Sequence, residues 1–238
     1  LPQNICSMVS LKTLNLSGNR FEGGVEALCC LPTGLESLNI SNNQLFGFLP
    51  ECLGGVGNLQ AFDASGNRFI GGFPVFLVQL PQLQTLNLRG NRLSGILPPS
   101  LGVAALTAAK AKNSALTAVE GLQRLDISSN DFSGNVPVEV GNLTGLRELY
   151  MNGNRFTGAV PESFTKLLRL ETLNLAGNSF DALPDLANPI PRLALNVSGN
   201  RLPFADLERL AILQNFTYAP QAITPPRLAD TIAVIDAE

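Results

Sequence analysis

Hydrophobic and polar residues alternate in a short motif that occurs eight times along the chain. The motif reads L-x-x-L-x-L-x-x-N, and its closing asparagines are Asn19, Asn43, Asn67, Asn91, Asn130, Asn154, Asn178 and Asn200. Their spacing is constant except for one longer interval before Asn130 and one slightly shorter interval before Asn200. Because side chains alternate along a strand, the last two leucines of each copy point to one side and the residue between them points to the other. The motif therefore predicts short strands at residues 13–16, 37–40, 61–64, 85–88, 124–127, 148–151, 172–175 and 194–197.

The residues after each motif predict how the strands are held together. A single strand cannot bury its apolar face alone, so successive turns are expected to stack into a parallel sheet. The closing asparagine is expected to turn inward and bond backbone groups of its own and the neighbouring turn. A glycine precedes it in six of the eight repeats, which suits a tight corner. The large apolar residue that follows predicts a column in the core, made of Phe21, Leu45, Phe69, Leu93, Phe132, Phe156, Phe180 and Leu202.

The repeat resembles a known family. Its 24-residue unit ends in glycine, one further residue, an apolar residue and proline, as in LFGFLP, FIGGFP and FTGAVP. This ending resembles the plant-specific class of leucine-rich repeats, found in receptor-kinase ectodomains, receptor-like proteins and polygalacturonase inhibitors. The resemblance implies an α/β leucine-rich-repeat solenoid, with a single parallel β-sheet on the concave face and short helical or 3-10 turns on the convex side. Residues 200–221, in contrast, resemble the closing segment of bacterial surface leucine-rich-repeat proteins.

The spacing also predicts the domain organisation. Residues 1–202 form the solenoid, with eight repeats and a start in the middle of a repeat, because Pro2 stands where the other repeats have their proline. Residues 203–220 are expected to form a C-terminal cap, and residues 221–238 a linker or the start of a following segment. The long interval before Asn130 contains an alanine-rich insertion at about residues 103–119. We interpret it either as a longer convex helix or loop, or as an element like the pocket-forming insertion of plant steroid receptors.

Composition limits the chemistry available to the chain. There is no histidine, which excludes Ser-His-Asp and Cys-His catalysis and histidine-bearing metal motifs. We therefore predict no catalytic residues, no metal and no cofactor, and a protein that is not an enzyme. The net charge of −3 gives no basic footprint for nucleic acid. No apolar run approaches the roughly 18 residues that span a bilayer, so no membrane insertion is predicted in this fragment.

The four cysteines are candidates for disulfides. Cys6 and Cys30 are separated by one full repeat, and Cys29 and Cys52 by one residue less than a repeat, so each pair falls on adjacent turns. Equivalent positions on adjacent turns lie about 5 Å apart, which is within disulfide range. Cys29 also stands one full repeat before Leu53, an inward convex position. Both a Cys6–Cys30 or Cys29–Cys52 disulfide and a buried free thiol are therefore compatible with the sequence.

The outward strand positions are where a partner is expected to bind. The central outward column consists of asparagine and aspartate except for Tyr150, and it is either a solvated face or a binding surface. The predicted ligand-binding residues are Asp126, Arg147, Tyr150, Asn152, Asn87, Arg89, Asp63 and Glu148. A further row, Arg20, Arg68, Arg92, Arg155 and Arg201, is interpreted as repeat consensus or as an anion track.

The family resemblance supplies the functional hypothesis. It implies a non-enzymatic, secreted or cell-surface module that binds a protein, peptide or glycan ligand on its concave face. Two alternatives remain open. One is an inhibitor of a secreted hydrolase, similar to the polygalacturonase inhibitors. The other is a structural or adhesion protein, including an ice-binding one.

Overall fold

The computed structural model describes residue 5, residues 7–102 and residues 121–222. Its main element is a parallel sheet of nine three-residue strands, stacked in chain order. The strands are Thr13–Asn15 (β1), Ser37–Asn39 (β3), Ala61–Asp63 (β5), Thr85–Asn87 (β7), Arg124–Asp126 (β9), Glu148–Tyr150 (β11), Thr172–Asn174 (β13), Ala194–Asn196 (β15) and Asn215–Thr217 (β16). The first eight confirm the predicted strands, and β16 adds a ninth strand from the C-terminal residues.

A second parallel sheet runs along the side of the solenoid and was not predicted from the sequence. Its seven strands are Glu22–Gly23 (β2), Gln44–Gly47 (β4), Arg68–Gly71 (β6), Arg92–Gly95 (β8), Asp131–Gly134 (β10), Arg155–Ala159 (β12) and Ser179–Ala182 (β14). These strands are short and bury mainly one side chain each. One buried side chain gives too little alternation of apolar and polar residues to predict a strand from the sequence. The sheet is held together by backbone pairing between neighbouring turns.

Short helical turns close the convex side. They are the 3-10 turns Glu26–Cys30, Glu51–Gly55, Val138–Asn142 and Glu162–Lys166, and the helical turn Val75–Val78 (α1). Most begin directly after the repeat's proline, which has an extended backbone and ends the preceding segment. A second helical turn, Phe204–Glu208 (α2), follows the last repeat. Within the described ranges no helix has the length and apolarity needed to cross a membrane.

The repeat asparagines form the predicted ladder of hydrogen bonds. The side chain of Asn154 shows the pattern, because its Nδ2 donates to the carbonyls of Met151 in its own turn and Ile127 in the preceding turn, both at 3.0 Å. Its Oδ1 accepts the backbone N–H of Phe132 at 3.1 Å. Equivalent bonds recur at Asn43, Asn67, Asn91, Asn130, Asn178 and Asn200. Each asparagine therefore satisfies backbone groups that stacking removes from water.

The residue before each ladder asparagine requires a left-handed backbone. The six predicted glycines there have φ between 62° and 68°. The two repeats without glycine adopt the same conformation, with φ of 53° at both Asn42 and Ser129. Every repeat thus has a left-handed residue before its ladder asparagine. At Asn42 and Ser129 the neighbouring turns hold a non-glycine residue in this conformation.

The predicted apolar column fills the core from the second repeat onward. Phe132, Phe156 and Phe180 stack with ring centroids 6.4 and 6.2 Å apart, and all three are fully or almost fully buried. Phe21, in the first described turn, is only partly buried. The core is therefore one continuous column that each turn extends by one large side chain.

The first convex turn begins one residue earlier than the repeat spacing predicts. The prediction that Cys29 takes the inward position of Leu53 is therefore wrong. The turn begins after Val25, whereas the next turn begins after Pro50, so the offset between them is one residue longer than the repeat. Leu28 consequently takes the buried position of Leu53, and Cys29 is exposed.

The exposed Cys29 is disulfide-bonded to Cys52, with Cα atoms 5.3 Å apart. Cys30 is also disulfide-bonded, and no described cysteine has a free thiol. Cys6 lies outside the described residues, as do the insertion at about 103–119 and most of the predicted linker at 221–238.

Candidate ligand-binding face

The asparagine and aspartate column of the concave sheet has a local structural role. In seven repeats the side-chain Oδ1 of the column residue accepts the backbone N–H of the residue two positions later, at 2.9 to 3.1 Å. This contact is an Asx turn, which turns the chain out of the strand. The column residues concerned are Asn15, Asn39, Asp63, Asn87, Asp126, Asn174 and Asn196. The uniformity of the column is therefore explained by the end of each strand, without any ligand.

Tyr150 is the exception in this column. It pairs in register with Asp126 on one side and Asn174 on the other, but a phenol cannot form an Asx turn. Its hydroxyl instead donates to Glu148 Oε2 at 2.9 Å. The guanidinium carbon of Arg124 lies 4.7 Å from the centre of the Tyr150 ring, within the range of a cation–π contact.

Arg124 links the side chains around Tyr150. It forms an ion pair with Glu148, and its Nη2 lies 3.9 Å from Asp126 Oδ2. Asp126 is buried, and its Oδ1 accepts hydrogen bonds from the N–H and the hydroxyl of Ser128. We call Arg124, Asp126, Glu148 and Tyr150 the tyrosine cluster. Its one arginine contacts both carboxylates, so the cluster presents an aromatic and polar surface with one excess negative charge.

The surroundings of Tyr150 shift the pKa of its phenol. Burial raises the pKa of Tyr150 above its ordinary value, and the hydrogen bond to the Glu148 carboxylate together with the negative charge of Glu148 raises the pKa further. Arg124 acts in the opposite direction, with a smaller effect. The hydroxyl therefore stays protonated and keeps donating to Glu148 throughout the neutral range.

The other predicted site residues lie around the tyrosine cluster. Asp63 and Asn87 precede Asp126 and Tyr150 in the same row of paired strands, and Asn87 Nδ2 donates to Asp63 Oδ2 at 3.1 Å. Arg89 is exposed just beyond β7, and Asn152 is half-buried just beyond β11. Arg147 precedes β11, is exposed and pairs with Glu171 at 2.6 Å. The predicted residues thus form one continuous region of the concave face.

A cleft adjoins this region at the edge where the chain enters the strands. Its volume is ≈ 630 Å³, and its lining includes Arg147, Arg169, Glu171, Ile190 and Arg192. Arg169 and Arg192 form no ion pair within the described residues. The cleft is therefore bordered by more positive than negative side chains.

Sequence reasoning placed Arg124 at an outward position flanking the column but did not include it among the predicted ligand-binding residues, and it did not select Glu171. Both are recognisable from the repeat itself, because Arg124 is one turn before Glu148 and Glu171 is one turn after Arg147. Opposite charges that are separated by one repeat on this sheet are neighbours, and that spacing is the signal that could have found them.

The comparisons with known proteins agree with this architecture. Two family models described as leucine-rich repeats match residues 10–31, 34–56, 82–103, 121–143 and 144–202, which together make up more than half of the chain. The fold is thus that of a leucine-rich-repeat solenoid whose repeats are of the plant-like class. The chain belongs to the leucine-rich repeat family. A search of curated protein sequences finds no match.

Solved structures similar to the chain include plant receptor ectodomains. The PEPR1–AtPEP1 structure is 28% identical with a TM-score of 0.76, and the match covers 94% of this chain and 30% of that one. The ectodomain of GASSHO1/SCHENGEN3 from Arabidopsis thaliana, in complex with CASPARIAN STRIP INTEGRITY FACTOR 2, is 28% identical with a TM-score of 0.65 and coverages of 90% and 27%.

The Arabidopsis receptor kinase HAESA, in complex with the peptide hormone IDA and the co-receptor SERK1, is 25% identical with a TM-score of 0.64. That match covers 96% of this chain and 41% of HAESA. The chain therefore spans less than half the length of each of these three relatives. The resemblance of residues 200–221 to bacterial surface proteins stays a prediction.

Proposed function

We propose that this chain is a non-enzymatic recognition module that binds a protein or peptide ligand on its concave face, centred on β9 and β11. The observation that carries the proposal is the tyrosine cluster. Seven column residues are accounted for by Asx turns, and Tyr150 departs from that pattern while remaining half-exposed beside Arg124. Tyrosine and arginine supply a large share of the energy of protein interfaces.

The similar structures support a peptide or protein ligand. HAESA is described in complex with the peptide hormone IDA, PEPR1 together with AtPEP1, and GASSHO1 in complex with CASPARIAN STRIP INTEGRITY FACTOR 2. All three share the solenoid of this chain. The cleft beside Arg147 lies next to the tyrosine cluster, and its Arg169 and Arg192 side chains favour a carboxylate on the ligand. An extended peptide that contacts Tyr150 and ends with an acidic group in the cleft fits both features.

An extracellular or cell-surface location follows from the same proposal. The Cys29–Cys52 disulfide is exposed, and such bonds persist in oxidising compartments. The receptor ectodomains among the similar structures support the same location.

We also propose that residues 1–202 form the solenoid and residues 203–220 its cap. Leu207, Leu210 and Leu213 are buried, and Asp206 Oδ2 accepts the backbone N–H of Leu183 at 2.9 Å. A terminal repeat needs such a cover for its apolar end.

Peptide selection tests the binding proposal. Peptides are selected from a phage-displayed random library against the wild-type chain, and their affinity is measured by calorimetry for a Tyr150→Ala, Arg147→Ala double variant. We expect a loss of about 2 kcal/mol or more in binding, which is roughly 30-fold in Kd. The melting temperature should be preserved, because both side chains are at least partly exposed.

A matched variant at the other end of the sheet controls for general effects. Lys12→Ala removes an exposed ion pair with Glu36 of the same kind as Arg147–Glu171, on strands far from Tyr150. Affinity should be unchanged in this variant. Equal affinity of the wild type and the double variant for the selected peptides would move the site off this part of the sheet.

A further inference from the structure

The second sheet carries an exposed apolar cluster on β4 and β6 and directly after β4. Phe46 and Phe48 are 52% and 70% exposed, and Ile70 is 42% exposed. The repeat with β12 has Thr157 and Ala159 at the corresponding places. Single exposed apolar residues are ordinary, but neighbouring ones on one face form a patch that indicates an interaction site.

Strand register places two arginines beside these apolar side chains. Phe46 pairs with Arg68 across β4 and β6, and Ile70 pairs with Arg92 across β6 and β8. We call Phe46, Phe48, Arg68, Ile70 and Arg92 the lateral patch.

The two arginines of the lateral patch are available to a partner. Arg68 donates to Gln44 Oε1 at 3.1 Å, and neither Arg68 nor Arg92 has an ion pair among the described residues. Arg155, at the same repeat position, is by contrast neutralised by Asp131 at 2.5 Å. The row of arginines after the repeat asparagine thus contains positions with unmatched positive charge, and two of them lie within the lateral patch.

A groove lies against the lateral patch. Its volume is ≈ 650 Å³, and its lining includes the apolar residues Phe48, Ile70, Pro74 and Phe76 and one carboxylate, Glu51. The ring of Phe48 lies across Gly71, where an added Cβ would come within 2.7 Å of Phe48 Cδ1. Glycine is favoured at this position because its φ is 101°, and the Phe48 ring lies along one wall of the groove.

We propose that the lateral patch is a second protein-binding surface, which takes an extended segment of a partner protein with apolar side chains and neighbouring carboxylates. An apolar side chain occupies the groove between Phe48 and Phe76. Carboxylates of the segment pair with Arg68 and Arg92, since the planar guanidinium matches a carboxylate with two hydrogen bonds. This surface is separate from the concave face and does not depend on the ligand proposed there.

The charges favour a protein segment over an anionic bilayer. The lateral patch holds two arginines, whereas surfaces that bind anionic bilayers carry clusters of about four to eight basic residues. Two guanidinium groups are sufficient to pair with the carboxylates of one bound segment. Aromatic residues and arginine together are also the composition that is enriched in protein interfaces.

Three labelled peptides test the proposal by fluorescence anisotropy. One alternates leucine and aspartate, one alternates leucine and lysine, and one alternates serine and aspartate. We expect the leucine–aspartate peptide to bind with a Kd at least about tenfold lower than either of the others. Its affinity should fall as sodium chloride is raised from about 0.05 to about 0.5 M, because exposed charge pairs are screened.

Variants built from the chain's own repeats assign the binding to the lateral patch. Phe46→Thr, Phe48→Ala and Ile70→Thr together introduce the side chains found at Thr157 and Ala159, and should weaken binding by about tenfold or more. Arg68→Gln with Arg92→Gln should abolish the preference for aspartate over lysine.

Two controls accompany these variants. Arg201→Gln changes an exposed arginine at the same repeat position outside the patch, and the Tyr150→Ala, Arg147→Ala variant changes the concave face. Both should bind the leucine–aspartate peptide like the wild type, so failure of this proposal is distinct from failure of the concave site.

Several results would overturn the proposal. These are no binding of the leucine–aspartate peptide, equal binding of the leucine–lysine peptide, and unchanged binding by the triple variant when its melting temperature is preserved. A dimer in light scattering that the triple variant loses would assign the patch to a second copy. Co-sedimentation with phosphatidylserine vesicles that the triple variant loses would assign it to a membrane.

Discussion

Leu93 donates its backbone N–H to the side-chain Oδ1 of Asn130 at 3.1 Å, although the two residues are far apart in the chain, with a sequence separation of 37. In the other repeats the same bond has a separation of 22, or 20 at the last repeat. Strand β7 also pairs directly with β9, with Asn87 opposite Asp126. The turns on either side of the long interval therefore stack as ordinary neighbours.

Shortening this interval should leave a folded protein. Deleting about 15 residues from the predicted insertion at 103–119 restores the regular repeat spacing that the flanking turns already obey. We expect the variant to unfold cooperatively in a thermal melt followed by circular dichroism, with a melting temperature close to that of the wild type. Loss of cooperative unfolding would show that the insertion is part of the core.

The asparagine ladder should be a major contributor to stability. Replacing Asn154 by alanine leaves the backbone N–H of Phe132 without its partner. The carbonyls of Ile127 and Met151 each lose one hydrogen bond but keep another, from the side chains of Asn130 and Asn178. Three hydrogen bonds are lost in all. At about 1 kcal/mol for each, we expect the free energy of unfolding to fall by about 3 kcal/mol. Urea denaturation measures this. Thr157→Ala, at an exposed position in the next strand along the chain, should change the free energy by less than about 0.5 kcal/mol. A similar small loss at Asn154 would contradict the structural role of the ladder.

The parts of the fold that could be predicted from the sequence depend on residues that occupy the same position in every repeat. The eight concave strands, the asparagine ladder and the phenylalanine column all depend on residues that recur once in each repeat. The second sheet could not be predicted, because strands such as β2 are held by backbone pairing across turns. The place of Cys29 was wrong because the first convex turn begins one residue early, a shift that a fixed spacing cannot detect.

The candidate site was predictable only in part, for a related reason. Tyr150 was selected because it interrupts a uniform column. The sequence did not reveal that the column forms Asx turns, nor that Arg124 lies over the Tyr150 ring, since both are contacts between side chains and neighbouring backbone or strands. The lateral patch could not be predicted either, because Phe46 pairs with Arg68 at a sequence separation that is shorter than one repeat.

The Cys29–Cys52 disulfide should stabilise the first repeats. A loop of this length contributes about 3 kcal/mol by restricting the unfolded chain. Because both cysteines are exposed, a Cys29→Ser, Cys52→Ser variant creates no cavity, and we expect its free energy of unfolding to fall by about that amount. Mass spectrometry of an unreduced digest should recover the two cysteine peptides joined. Free thiols at both residues in wild-type protein produced through a secretory expression system would contradict the bond.

Tyr150 should make the protein lose stability at high pH. Its folded-state pKa is raised, first by burial and then by Glu148, whereas in the unfolded chain the phenol has its ordinary pKa of about 10. Below about pH 10 both states hold the proton, so the stabilising contribution of the neutral phenol is fully present. As the pH rises further the unfolded chain releases its proton first, which favours unfolding, and the contribution is lost as the pH passes the folded-state pKa. Urea denaturation at pH values from about 8 to about 11 should show this loss in the wild type.

The loss should be smaller in Tyr150→Phe, which keeps a ring beneath Arg124 but has no proton to release. All other titratable groups are common to both proteins, so the difference between the two curves isolates the phenol. Tyr218→Phe removes the chain's other tyrosine and leaves the tyrosine cluster intact, and it should retain the loss attributed to Tyr150. If wild type and Tyr150→Phe lose stability in parallel above about pH 10, the phenol is not held in its protonated form by burial and Glu148.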